Sequence, residues 1–316
     1  MSGRAASHSP GSSFAGPAVN NRAACSAMIN WPSFFVVGAA KAGTTSLYTY
    51  LRRHPDVYLP DVKESVYFSP EIRGGIHREL YQSLDRYRSM YEGASGYKAV
   101  GEVSSTYLAS DESAVRIREV APAAKIIIIL RDPVERAFSH YLYYQTNHDE
   151  STAVSFADAL RRYEDRSAEG WWMSQEYIGH GLYHAQVRRY LEAFGADQVQ
   201  VLLFDDLAKN PNQLLARIAR HIGVDDGFFA ALDVSEARNP YSVPKSSVVR
   251  WARSHGVTRF MPRSLVLSVR PLFFNMKKPP LDHESRRFLQ ELYAPEVSGL
   301  EDLLGRPLPE LRRTWV

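Results

Sequence analysis

Lys41 stands between Gly38 and Gly43 in the stretch GAAKAGTT (38–45). The two glycines have the spacing of a phosphate-binding turn between a strand and a helix, and Thr45 fills its hydroxyl position. In the nucleoside-triphosphate version of that turn a lysine follows the second glycine, but here Thr44 occupies that place. Backbone N–H groups at a helix N-terminus still make an anion cradle. The displaced lysine no longer reaches forward to a terminal phosphate; it curls over the group attached to the cradled one. A second cation, Arg131, follows the apolar run KIIIIL (125–130), where kinases and ATPases usually carry an Asp for magnesium. A guanidinium at a strand end is a fixed fork for phosphate. Ser139 lies two helical turns further on, so Arg131 and Ser139 could clasp a second phosphate away from the first. The inferred ligand carries two separated phosphates and needs no metal.

The elements that must position these groups follow from periodicity. SFFVVG (33–38) reads as a buried strand, and Leu47, Tyr48 and Leu51 recur at helical spacing over 44–53. YKAVGE (97–102) is a second strand, SAVRIREVAP (113–122) a helix stopped by Pro122, and KIIIIL a strand covered on both faces. PVERAFSHYLYYQ (133–145) is a helix opened by Pro133, with Val134, Phe138, Tyr141 and Leu142 inward. A helix over 183–194, a strand over 198–204 and helices over 210–222 and 283–304 complete the chain. Strands alternating with helices predict an α/β fold: a P-loop-like, mainly parallel central sheet with helices on both faces, in a single domain.

Composition bounds the function classes. The 316 residues, 45% hydrophobic with a net charge of +3, suit one full-sized core and an anionic ligand. No dense basic face or motif for nucleic acid is present. Cys25 is the sole cysteine, which excludes an intrachain disulfide and a cysteine metal site. No run of 18 apolar residues suggests a membrane span. Residues 1–30 lack acidic side chains, an apolar core and the many arginines of a targeting peptide, so a disordered tail and a cytoplasmic location are expected, with the folded domain over 31–316.

The pair GAAKAGTTSL (38–47) and ILRDPVERAFSHY (129–141) resembles the two cofactor signatures of PAPS-dependent sulfotransferases, PAPS being 3′-phosphoadenosine 5′-phosphosulfate. HPDVYLPDVKESVYFS (54–69), GEVSSTYL (101–108) and GLYHAQVRRYLEAF (181–194) are similar to the carbohydrate branch, typified by the heparan sulfate sulfotransferases and their bacterial relatives. The resemblance runs over about 34–222, with a weaker tail in LEDLLGRPLPELRRTW (300–315). It implies PAPS as co-substrate, held by Lys41, Ala42, Gly43, Thr44, Thr45 and Ser46 at the 5′-phosphosulfate and by Arg131 and Ser139 at the 3′-phosphate. It also implies Glu64 as the base that takes the acceptor proton, with Lys63 orienting the sulfate or tuning that carboxylate. Glu102 and His140 are the alternative bases; a plain reading makes Glu102 a loop anchor and His140 a packed helix residue. Arg131 could instead be a structural partner of Asp132 or Glu135.

The chain departs from the family pattern at Val103, where the heparan sulfate enzymes often carry lysine, and it lacks their cysteine-flanked basic loop. RNPYSVPKS (238–246) is the expected substitute, with Lys245 reaching the 3′-phosphate. Between Glu236 and Asp282 there are nine Lys or Arg and no acidic residue. That segment, 238–281 of the domain, reads as a core helix with solvated basic residues, a flap over an anionic acceptor, or a patch for peripheral membrane contact. Trp171 and Trp172 could stack on a sugar or aromatic acceptor. Saccharide, glycolipid, phenol and peptide tyrosine stay open as acceptors, with a sugar or lipid hydroxyl favoured. A P-loop kinase-like nucleotide binder is the alternative function, though no magnesium carboxylate can be placed for it. The sequence is silent on oligomeric state.

Overall fold

The computed structural model describes residues 31–70, 83–147, 155–161, 177–234, 243–244, 274–275 and 277–315. Its sheet begins with β1 (Phe34–Gly38), every residue of which is buried. The chain continues through α1 (Thr44–Leu51), β2 (Val57–Tyr58), α2 (Leu84–Ser89), β3 (Ala99–Val103), α3 (Ser113–Val120) and β4 (Lys125–Leu130). Then come α4 (Pro133–Asn147), α5 (Phe156–Arg161), α6 (Tyr183–Phe194) and β5 (Val199–Leu203). Past β5 lie α7 (Phe204–Lys209), α8 (Pro211–Ile222), a two-stranded ribbon of β6 (Val243–Pro244) with β7 (Phe274–Asn275), and the long α9 (His283–Leu304).

The five strands lie in the order β2-β3-β1-β4-β5, and all four pairings are parallel. The β-branched run of β4 is flanked by β1 and β5, with Ile126 to Leu130 fully buried, as a two-face-covered parallel strand requires. The predicted α/β class therefore holds. The expected strand over 198–204 ends one residue early, because Phe204 opens α7. The helix over 113–122 stops at Val120, two residues before Pro122, as the restriction on the residue preceding proline demands. The short strand β2 and helices α2 and α7 carry too few residues to display a period, and the sequence reading missed them.

Two apolar clusters hold the molecule. The larger contains the sheet and the helices against it, including Leu47, Ile117, Tyr190 and Leu215. The second packs Val134, Phe138, Tyr141 and Leu142 of α4 against Phe156 of α5 and Leu289 and Tyr293 of α9. That is the inner face expected for α4, and it leaves the other faces of the helix for other work. Asp132 starts α4: its carboxylate accepts the N–H groups of Val134 (2.9 Å) and Glu135 (3.3 Å), ahead of Pro133 at the first helical position. Its other oxygen accepts from Thr314 Oγ1 (2.6 Å), so residues near 314 are tied to the same cap.

Among the described residues no helix is long and apolar enough to cross a membrane. The ribbon pairs Val243 with Asn275 and Pro244 with Phe274, joining the two ends of the basic segment. Lys245, Trp171, Trp172 and residues 1–30 lie outside the described residues.

Candidate functional site

Chain order reverses across β1, since β3 lies on one side of it and β4 on the other. In parallel sheets such a switch opens a crevice at the carboxyl ends of the strands. Lys41 leaves β1 there, Ser105 leaves β3, Arg131 leaves β4 and Phe204 leaves β5.

The turn after β1 is built without side chains where they would obstruct. Gly43 caps α1 in a left-handed conformation (φ 97°), and a Cβ there would come within 2.8 Å of Leu207 Cδ2. It offers no side-chain cap to the first turn of α1, which also holds no acidic residue. Lys41 itself is left-handed (φ 66°), an uncommon state for a residue with a side chain. Arg131 Nη1 donates to the Lys41 carbonyl at 3.2 Å, and Tyr183 Oη donates to the Arg131 carbonyl at 2.9 Å. The two cations expected from sequence are thus joined through backbone. Thr44 is buried, Thr45 exposed and Ser46 half-buried, all at the start of α1, with Ala42 buried beneath the turn.

The Lys41 ammonium lies 3.8 Å from the centroid of the Tyr143 ring. Burial, followed by the positive charges of Lys63 and Arg131, pushes its pKa down to about 8, and Glu64 acts in the opposite sense. Arg131 stacks over Phe204 at 4.9 Å and pairs with Glu135 at 3.5 Å. Burial lowers its pKa too, with Glu135 opposing. The structural partner foreseen for Arg131 is therefore real at Glu135, and the guanidinium still reaches the Lys41 turn. Ser139 is half-buried one turn beyond Glu135 on α4.

Lys63 and Glu64 form an ion pair with each other. The Glu64 carboxylate also accepts from Ser105 N (2.6 Å) and Ser105 Oγ (2.9 Å). Its own N–H donates to the Val103 carbonyl at 3.0 Å, so this loop rides on the end of β3. The Glu64 side chain keeps 30% of its surface exposed. Glu64 and Val66 are both left-handed (φ 65° and 54°), and for β-branched Val66 this is an outlier.

The two alternative bases, Glu102 and His140, are both buried. Glu102 is 1% exposed and enclosed by hydroxyls: Ser65, Tyr87 (2.5 Å), Tyr107 (2.6 Å) and Tyr91 (3.4 Å). Burial raises its pKa against the pull of those four donors. It anchors the loop that carries Glu64, through Ser65. His140 is buried on the flank of α4, with Nδ1 3.3 Å from Arg136 Nη1 and its ring among those of Tyr144, Tyr177 and His180.

Sequence reasoning missed Tyr143, Ser105, Phe204 and Lys278. Tyr143 had a signal: Glu135, Ser139 and Tyr143 follow one another at four-residue intervals on α4, hence along one face. Ser105 and Phe204 could be found only from the sheet order. Lys278 pairs with Glu135 at 2.6 Å across 143 positions, which no local pattern announces.

Two cations sharing a backbone link, a helix start with no acidic group and a strand-edge crevice fit a ligand with separated negative charges. A sulfotransferase domain model matches residues 32–301. The chain belongs to the sulfotransferase domain family. The enzyme class expected from the motifs is therefore the class of the family. A sulfotransferase from Alicyclobacillus acidocaldarius has 34% sequence identity and a TM-score of 0.71, covering 90% of this chain and 99% of that one. The bifunctional heparan sulfate N-deacetylase/N-sulfotransferase 4 of Mus musculus is 28% identical over 297 residues, and enzyme 3 of Homo sapiens is 28% identical over 293. These matches take in 89% of this chain and 31% of each relative, so the chain spans about a third of the length of these curated relatives. The resemblance to the heparan sulfate branch thus extends over 89% of this chain in these bifunctional N-deacetylase/N-sulfotransferases.

Proposed function

We propose that this protein transfers a sulfuryl group from PAPS to a hydroxyl or amine of a saccharide-type acceptor. The observation that carries the reading is the convergence of Lys41, the Lys63–Glu64 pair and Arg131 from three separate loops on one strand edge. The heparan sulfate relatives support a saccharide, and a sugar hydroxyl on a lipid belongs to the same chemistry.

PAPS, when bound, supplies the sulfuryl group on its 5′-phosphate. Gly43, Thr44 and Thr45 would hold that phosphate with the N–H groups at the start of α1, flanked by Ala42 and Ser46. Lys41 would neutralise the bridging oxygen as the sulfur–oxygen bond to the phosphate breaks and the bond to the acceptor forms. Glu64 would take the acceptor proton, steadied by Ser105, while Lys63 balances its charge and orients the sulfate. Arg131 and Ser139 would hold the 3′-phosphate, which leaves with the adenosine as the 3′,5′-bisphosphate. Lys245 belongs to the same proposal as a further 3′-phosphate contact. Positioning and fixed charge supply the catalysis, as in phosphoryl transfer. In the same reading the domain fills 31–316, the protein resides in the cytoplasm, and the basic segment covers the acceptor or meets an anionic membrane.

Transfer of labelled sulfate from PAPS to desulfated glycosaminoglycan and to simple glycolipids tests the activity directly. Thermal stabilisation by adenosine 3′,5′-bisphosphate in the absence of magnesium supports it. Stabilisation only by ATP with magnesium would replace it with the kinase-like alternative.

A further inference from the structure

Glu135 lies between two cations, one four residues before it and the other 143 positions after it. Arg131 Nη2 is 3.5 Å from its carboxylate, and Lys278 Nζ is 2.6 Å away. All three side chains are largely enclosed, with 19%, 18% and 30% of their surfaces exposed in the order Arg131, Glu135, Lys278. The Lys278 ammonium also lies over the ring of Phe138, the residue before Ser139 in the chain, at 4.9 Å. Glu135 and Ser139 are one helical turn apart on α4, so they share a face. Burial disfavours the charge of Lys278, and Glu135 opposes that effect. Burial likewise favours the neutral acid at Glu135, but Lys278 and Arg131 outweigh it and hold the pKa below the usual range. A carboxylate held by a guanidinium and an ammonium, one helical turn before a serine, occupies a site of the kind a phosphate monoester would take.

We propose that Lys278 is a 3′-phosphate ligand and that Glu135 is its placeholder anion. This rests on the reading of Arg131 and Ser139 as the second phosphate site. The Glu135 carboxylate compensates Arg131 and Lys278 while no nucleotide is bound. A bound 3′-phosphate draws both cations from it, and Glu135 then opposes binding by its own negative charge. Lys278 closes the basic segment just beyond β7, so the same contact couples the 3′-phosphate to that segment.

The test is calorimetric titration of wild type, Lys278→Met, Lys278→Arg and Glu135→Gln with adenosine 3′,5′-bisphosphate and with adenosine 5′-monophosphate. Lys278→Met keeps an unbranched apolar chain over Phe138, and circular dichroism checks its fold. Losing one charge-assisted contact is expected to weaken the bisphosphate about tenfold or more. The monophosphate should stay within about twofold of wild type, and Lys278→Arg should recover most of the loss. Glu135→Gln should tighten the bisphosphate alone, an outcome that a purely structural ion pair does not produce. Lys278→Met weakening both nucleotides equally, or neither, would overturn the assignment of Lys278. Weaker bisphosphate binding in Glu135→Gln would overturn the placeholder role. Wild type binding the two nucleotides alike would remove the second phosphate site itself, and this proposal with it.

Discussion

Lys41 holds its charge in surroundings that disfavour it, through burial and through Lys63 and Arg131. The sign of the pH effect follows. An unfolded chain keeps the Lys41 proton up to about pH 10.5, and the folded chain only up to about 8. Between these values the unfolded state binds more protons, so this group's contribution to stability rises with pH; below about 8 the full cost of the buried charge remains. A bound anion reverses the balance by stabilising the ammonium. Bisphosphate binding at pH 8–9 should therefore take up a proton, measurable by calorimetry in buffers of different ionisation enthalpy, and Lys41→Met should abolish the uptake. The same variant should melt higher than wild type at pH 7, while its turnover falls by about 10²-fold or more, the scale of losing one oxyanion donor. Glu64→Gln should lose transfer with bisphosphate affinity unchanged; intact transfer in that variant would pass the base role to another group. Much of this site was legible as residue types. Lys41 between two glycines and Arg131 after an apolar run announce anion chemistry by themselves. Their connection, Arg131 to the Lys41 carbonyl, was not legible, because 90 positions separate them and only the pairing of β1 with β4 brings them together.

At the scale of elements, α1 and α4 are aimed at the crevice by their first residues. Gly43→Ala places a Cβ at φ 97° against Leu207 and Phe204. That change should cost about 1 kcal/mol or more of stability and weaken the bisphosphate and the 5′-monophosphate alike, since both use the start of α1. Asp132→Ala removes a buried cap that serves Val134, Glu135 and Thr314 at once. Buried hydrogen bonds to a charged group contribute roughly 1.5–3 kcal/mol each without adding fully. A loss of at least about 2 kcal/mol in denaturant unfolding is expected, an estimate from the same range. Pro133 made this helix start readable in sequence, whereas the Asp132 cap emerged only from the structure. The second face of α4 was less so, because the apolar period marks only the side facing α5 and α9. Glu135, Ser139 and Tyr143 carry no apolar signal in common, and their shared role emerges from what sits opposite them. The hydroxyl cage of Glu102 was hidden for a related reason: its members, one serine and three tyrosines, come from positions 65, 87, 91 and 107 and converge only when β3 is paired.

For the whole molecule, the parallel five-strand sheet gathers the candidate site residues on the loops at its carboxyl edge. Among the described residues no group of three or more His, Cys, Asp or Glu could hold a metal ion. In the proposed metal-free reading the nucleotide should stabilise the fold by mass action: at a hundred times its dissociation constant the bisphosphate adds about 2.7 kcal/mol. The rise in melting temperature should be the same in chelator as in magnesium, and a chelator-sensitive rise would indicate a cation within the nucleotide site. The fold class was readable because strands β1, β4 and β5 are long enough to declare themselves. The strand order and the ends of the basic segment were not, since β2, β6 and β7 have two residues each.

The left-handed non-glycine residues among those described are Lys41, Glu64 and Val66, and all three belong to two loops of the candidate site. Conformations of this kind cost about 1–3 kcal/mol each. A laboratory selection for heat resistance alone would find its easiest gains at these positions, with glycine or asparagine. Such a lineage should grow sturdier and fall silent together, so variants meant for harsh conditions need an activity screen from the first round.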